Sequence, residues 1–152
     1  SPFFHRLRPR NYAALLRLAL RPRSAEAIER TVWRLTSNAP DPSNAVIGAW
    51  VAARTRHPVS PINALRQLVA AARYRAPTVA PNPRILLLTS QSDQLVDSRC
   101  SLAIARSWHC ALAVHPQAGH DLPLDAPQWV IEQVQQWLAH TAPSQRAPAT
   151  DP

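Results

Sequence analysis

The hydrophobic positions of this chain change rhythm near residue 80. Before that point they recur at helical spacing, and after it they also gather into short unbroken runs. In "NYAALLRLAL" (11–20), Leu15, Leu16, Leu18 and Leu20 crowd one side, with Arg17 and the following Arg21 on the surface. "SAEAIERTVWRL" (24–35) offers Ser24 as N-cap and two glutamates, Glu26 and Glu29, in its first turns, where the helix dipole favours negative charge. "DPSNAVIGAWVAAR" (41–54) predicts a helix with Asp41 as cap and Pro42 at the first position, where a missing N–H costs nothing. "SPINALRQLVAAARYR" (60–75) repeats that device with Ser60 and Pro61, and sets Ile62, Leu65, Leu68, Val69 and Ala72 at helical spacing. No fixed period relates these segments, so a repeat array is excluded.

Beyond Ala80, "RILLLT" (84–89) and "CALAVH" (110–115) are continuous apolar runs of strand length. Such runs suit strands covered on both faces, as in parallel sheets. Between them "DSRCSLAIARSW" (97–108) reads as a helix capped by Asp97 or Ser98. After them "DAPQWVIEQVQQWLAH" (125–140) reads as a helix with Asp125 as cap, Pro127 in its first turn, and Val130, Val134, Trp137 and Leu138 on one face. The order strand, helix, strand, helix predicts two parallel strands joined by a right-handed crossover. Two such strands do not make a stable sheet alone, so further strands are expected from upstream or from another chain.

The expected fold class is therefore α/β, with a helical region over 1–80, two strand–helix units over 81–140, and a disordered tail over 141–152. The tail, "TAPSQRAPATDP", has almost no large apolar side chain to order it. A length of 152 residues holds one domain or one lobe of a larger one. The chain starts at Ser1 and contains no methionine, as expected of a fragment or a trimmed chain. Cys100 and Cys110 make no disulfide framework and are expected to be buried free thiols. No run of about 18 apolar residues exists, so no membrane span is expected, and the expected compartment is the cytoplasm.

Charge divides the chain. All 17 basic residues are arginine; residues 1–80 hold 13 of them against three acids, and residues 81–152 hold four against six. Such asymmetry suits an Arg-rich helical module for nucleic acid or acidic membranes, which stands as one alternative. No nucleic-acid motif accompanies the charge, so a solvated surface is the preferred reading and no nucleic-acid partner is expected.

The chemistry gathers after the two runs. "SQSDQLVD" places Asp93 in the loop after the first strand, and "HPQAGHD" places His120 in the loop after the second. Parallel strands bring both loops to one edge, the carboxyl edge where open α/β sheets bind ligands. A carboxylate there holds an imidazole through Nδ1 and leaves Nε2 as general base. Gly119, one of only two glycines, is read as letting the backbone turn sharply before His120. Singly, Asp93 is as well explained as a turn residue, and His120 as a loop histidine satisfied by the backbone. His109, Cys110, His115 and His120 match no common zinc spacing, so no metal is expected. Trp129 and Trp137 are read as core; Trp33, Trp50 and Tyr74 are read as core in preference to the lining of a pocket under a helical lid; and Asp121 and Asp125 are read as loop and cap residues.

"RILLLTSQSDQLVD…HPQAGHDLPLDAPQWVIEQVQQWL" resembles the C-terminal part of an α/β-hydrolase over residues 81–139. In that superfamily the acid follows the penultimate core strand, as in "SDQLV", and the histidine follows the last strand in a Gly-His pair, as in "AGHDLPLD". The resemblance implies that Asp93 and His120 are the catalytic acid and base of a serine hydrolase. It implies a small ester or amide substrate, no cofactor, and a helical lid over 1–80. The chain departs from the pattern at the nucleophile. Gly48 and Gly119 lie too far apart for a G-x-S-x-G elbow, and Ser90 and Ser92 sit on the strand end and the acid's own loop. The serine half is expected outside this chain, which alone is expected to be inactive. A non-catalytic binding protein on a hydrolase scaffold is the other alternative.

Overall fold

A computed structural model of the chain describes residues 7–20 and 24–141. The tail expected over 141–152 lies outside them except for Thr141, which ends the last helix. Several helices start after a side-chain oxygen that accepts from an amide three residues on. A 3-10 turn at Pro9–Asn11 leads into α1 (Tyr12–Leu20). α2 (Ala25–Thr36) begins after Ser24, whose Oγ accepts from the Ala27 amide at 3.3 Å. α4 (Pro61–Arg73) begins after Ser60 in the same way, its Oγ accepting from Asn63 N at 3.3 Å. Between them α3 (Asn44–Arg56) corrects the expectation at Asp41. Ser43 is the cap, accepting from Val46 N at 3.4 Å, and Asp41 and Pro42 remain in the lead-in. Both are capping types, and the one nearer the helix supplies the oxygen.

α2 and α3 pack on each other around Ile47 and Trp33, which are 2% and 7% exposed. The Trp33 and Trp50 ring centroids lie 5.5 Å apart. Glu29 does more than meet the helix dipole: it is buried and ion-paired to Arg54 of α3. The apolar positions of α4 find no such cover. Ile62 and Leu65 are each 54% exposed, so the stripe that periodicity assigns to a core faces outward in this chain.

The sheet has two parallel strands, β1 (Leu86–Ser90) and β2 (Ala111–His115), in register from Leu86 opposite Ala111 to Ser90 opposite His115. The crossover is α5 (Arg99–Trp108). Of its two candidate caps, Asp97 acts: its Oδ1 accepts from Arg99 N at 2.9 Å, while Ser98 makes no side-chain cap bond. α5 ends at His109, a non-glycine residue in the left-handed region at φ 50°. Thr89 and Ser90 are buried, but Leu86, Leu87 and Leu88 are half-buried and Val114 is exposed. Runs read as covered on both faces are thus only partly covered, as a two-stranded sheet requires.

The last predicted helix is observed as α7 (Pro127–Thr141), and the loop before it contains a short helix, α6 (Leu122–Asp125), that the sequence pattern does not announce. Asp125 ends α6 and does not cap α7. On α7, Ile131, Val134 and Leu138 are exposed. Cys100 and Cys110 form no disulfide and are half-buried, not buried as expected. Among the described residues no helix is long and apolar enough to cross a membrane.

Candidate functional site

Because β1 and β2 are parallel neighbours, the loops that leave them emerge at one edge. Serine hydroxyls and backbone groups sew those loops together. Ser90 Oγ, almost fully buried, donates to Ala118 O at 2.5 Å, and Ser92 Oγ donates to Pro116 O at 2.8 Å. The Gln91 amide donates to His115 O at 2.9 Å. Both hydroxyls are spent on carbonyls, which suits a structural use and not a nucleophile. His115 Nδ1 accepts from the amides of Gln117 and Ala118 at 3.1 and 2.8 Å, which curls the second loop over the strand end. The His115 ring also meets Trp129 of α7 edge-on, with centroids 5.0 Å apart.

Inside this sewn edge the structure brings Asp93 and His120 together. Asp93 Oδ2 lies 2.8 Å from His120 Nδ1. Asp93 Oδ1 accepts from the Leu95 and Val96 amides at 2.7 and 2.9 Å. The Asp93 side chain is 9% exposed and that of His120 is 41% exposed. The hydrogen bond to Asp93 holds the imidazole pKa above its ordinary value; partial burial opposes this, and the charges of Asp93 and Asp121 add to it. With Nδ1 engaged, Nε2 is the nitrogen left for chemistry, and the ring borders an open cavity of about 460 Å³. Leu88, Leu122, Pro123 and Val130 give that cavity an apolar wall, with Thr36 and Asp121 beside them.

Gly119 is required for a reason other than the one its sequence position suggests. No glycine in the described residues has positive φ. A Cβ on Gly119 would instead meet Thr36 O at 2.6 Å, Asn38 N at 2.9 Å and Asp125 Oδ2 at 2.9 Å. The need is close approach by another segment's backbone. Asp125 is likewise corrected from cap to tether. Its Oδ2 accepts from Gly119 N at 2.6 Å and from Asn38 N at 2.8 Å, while its Oδ1 accepts from Ser37 Oγ. Asp121 caps α6, accepting from Leu124 N at 3.3 Å.

Sequence reasoning missed the supports of the acid loop. Arg8 Nε donates to Asp93 O at 2.9 Å and Arg8 N to Leu95 O at 2.9 Å. Asn11, buried, donates from Nδ2 to Gln94 O at 2.7 Å. These contacts span more than 80 positions of chain, and no local pattern announces them. Of the aromatic residues weighed for a pocket, Trp33 is core and Tyr74 is 61% exposed. Among the described residues no three His, Cys, Asp or Glu side chains group as a metal site needs. No protein-family model matches the chain, and no curated protein is detectably similar to it.

Proposed function

We propose that this chain is the acid–histidine part of an α/β-hydrolase-type serine hydrolase, acting on a small ester or amide. The observation that carries the reading is the 2.8 Å contact between Asp93 Oδ2 and His120 Nδ1 beside an apolar-walled cavity. The order of elements supports it: acid after one parallel strand, Gly-His after its neighbour, then a long helix. Among the described residues the sheet has two strands with unpaired outer edges, and these edges and the exposed apolar face of α7 suit a sheet completed by further strands.

In this reading His120 Nε2 takes the proton of a serine hydroxyl supplied by that other part. The serine oxygen bonds to the substrate's acyl carbon, and the leaving group departs with the proton that His120 returns. Water then repeats the cycle in reverse and frees the acid. Asp93 fixes the Nδ1–H tautomer and stabilises the imidazolium without itself taking the proton. The pair's hydrogen bonding, which favours a charged imidazole, fits that task. No cofactor enters the scheme. Two cysteines that form no disulfide fit a cytoplasmic protein.

The test is to express the chain together with the coding region immediately before Ser1 and treat it with a fluorophosphonate probe. Labelling of one serine in a G-x-S-x-G turn, lost by orders of magnitude in His120→Ala, is the expected result. An absent serine, or labelling indifferent to His120, overturns the reading in favour of a binding protein on the same scaffold.

A second reading attaches to α4 alone. Its Ile62, Leu65 and Val69 are exposed beside Arg66 and Arg73, and no acid occurs between Pro42 and Ser92. A basic amphipathic helix of this kind fits an acidic membrane surface. Cosedimentation with phosphatidylserine vesicles that disappears at high salt supports it, and absence of binding at low salt removes it.

A further inference from the structure

Asn38 follows the C-terminus of α2, in sequence far from both loops of the candidate site. Yet its side-chain amide touches both. Nδ2 donates to Ser92 O at 3.0 Å and to Gln117 O at 2.9 Å. Ser92 directly precedes Asp93, and Gln117 lies three positions before His120. Its backbone N–H donates to Asp125 Oδ2, the same oxygen that holds Gly119 N directly before His120. The neighbouring Thr36 O accepts from Asp121 N at 2.9 Å, directly after His120. Residues 36–38 therefore grip the His120 loop on both sides of the imidazole and tie it to the acid loop through one amide.

We infer that Asn38 is a positioning residue, a cross-brace by which the helical part of the chain sets the distance between Asp93 and His120. The inference rests on the reading of those two as a catalytic pair. Three features support it. One NH2 group supplies two donors to two carbonyls on different loops, adding a tie from a third segment to the serine bonds that join the loops directly. The brace is tight, since even a methyl group at Gly119 would collide with the backbone of this segment. A hydrogen bond such as that between Asp93 and His120 weakens steeply once its donor and acceptor drift apart or out of line.

The consequence is that the end of α2 bears directly on the acid–base geometry. Undocking residues 36–38 would remove the hold on Ser92 O and Gln117 O together, while the serine bonds between the loops remain. The loops would stay joined, but the spacing of the acid–base pair would loosen.

The experiment is an NMR titration of the His120 ring in the 152-residue chain, comparing wild type with Asn38→Ala and with the near-isosteric, uncharged Asn38→Leu. The expected result is a downward shift of the His120 pKa and loss of the Nδ1–H tautomer signature in both variants, with tryptophan fluorescence and helix content retained. Asn38→Gln, which keeps the amide donors, is expected to recover part of the shift. An unchanged His120 titration in a folded Asn38→Leu variant overturns the inference. Failure of the fluorophosphonate experiment would remove the hydrolase reading and leave this titration result standing, so the two failures are separable.

Discussion

Asp93 and His120, 27 positions apart, share a hydrogen bond through only one of the two carboxylate oxygens. The other oxygen closes a turn on Leu95 and Val96. One side chain thus serves as turn residue and as imidazole partner, and the turn is what fixes the second oxygen's direction. Asp93→Asn separates these duties. The amide oxygen still accepts the two backbone N–H groups, while the carboxylate's charge and second acceptor are lost. The His120 pKa is expected to fall towards its ordinary value with the fold intact, read by ring NMR. A titration unchanged from wild type would show that Asp93 does not govern the imidazole.

The same bond predicts how stability depends on pH. His120 has its pKa raised in the folded state, so the folded protein binds its proton more tightly than the unfolded chain does. The resulting stabilisation is whole below the unfolded value of about 6.5 and disappears as pH rises through the folded value. Urea midpoints of wild type and His120→Gln should therefore differ more at mildly acid pH than at alkaline pH. With 41% of the ring side chain exposed, solvent screens the pair and the difference is small. A gap that widens as pH rises would contradict the assignment.

Local chemistry explains what the sequence made legible. Ser24 and Ser60 cap as expected because a cap involves partners three residues away. The order of elements implied adjacent parallel strands, and adjacency implied that the loops bearing Asp93 and His120 share an edge. Asp125 shows the limit. Its place before Pro127 satisfies the local capping pattern, yet donors from Ser37, Asn38 and Gly119 win the carboxylate, because tertiary hydrogen bonds outnumber the local one. Arg8, Asn11 and Asn38 were silent in sequence for the same reason, since their partners are 54 to 85 positions away. Periodicity grouped Ile62 and Leu65 on one face, but it carries no information on whether anything covers that face.

Gly119→Ala tests the closeness of the α2 end to the His120 loop. The new methyl would sit within 3 Å of Thr36 O and Asn38 N, both backbone atoms, so no side chain can swing aside to relieve it. Overpacking of this kind costs about 1–3 kcal/mol. Urea denaturation should show that loss, and the His120 ring resonance should shift with it. Gly48→Ala supplies the contrast: nothing lies within 4 Å of an added Cβ there, and Gly48 is inside α3, so the substitution is expected to stabilise by about 0.5–1 kcal/mol. Equal effects at the two glycines would mean that Gly119 is not closely approached.

Two isoleucines, one on α3 and one on α4, separate the folded core from a face held in reserve. Ile47 on α3 is 2% exposed between α2 and α3, so Ile47→Ala removes buried methyl groups and leaves a cavity, at a cost of about 2–5 kcal/mol. Ile62 on α4 is 54% exposed, so Ile62→Gln gives up little burial and should change stability by less than about 0.5 kcal/mol. Thermal or urea unfolding of the two variants measures the contrast directly. A large loss at Ile62 would mean that its face is covered within the chain, by α1 or by residues outside those described. A negligible loss leaves an apolar, arginine-flanked helix whose cover is not needed for folding, which is the condition for it to meet a substrate cavity or an acidic surface instead.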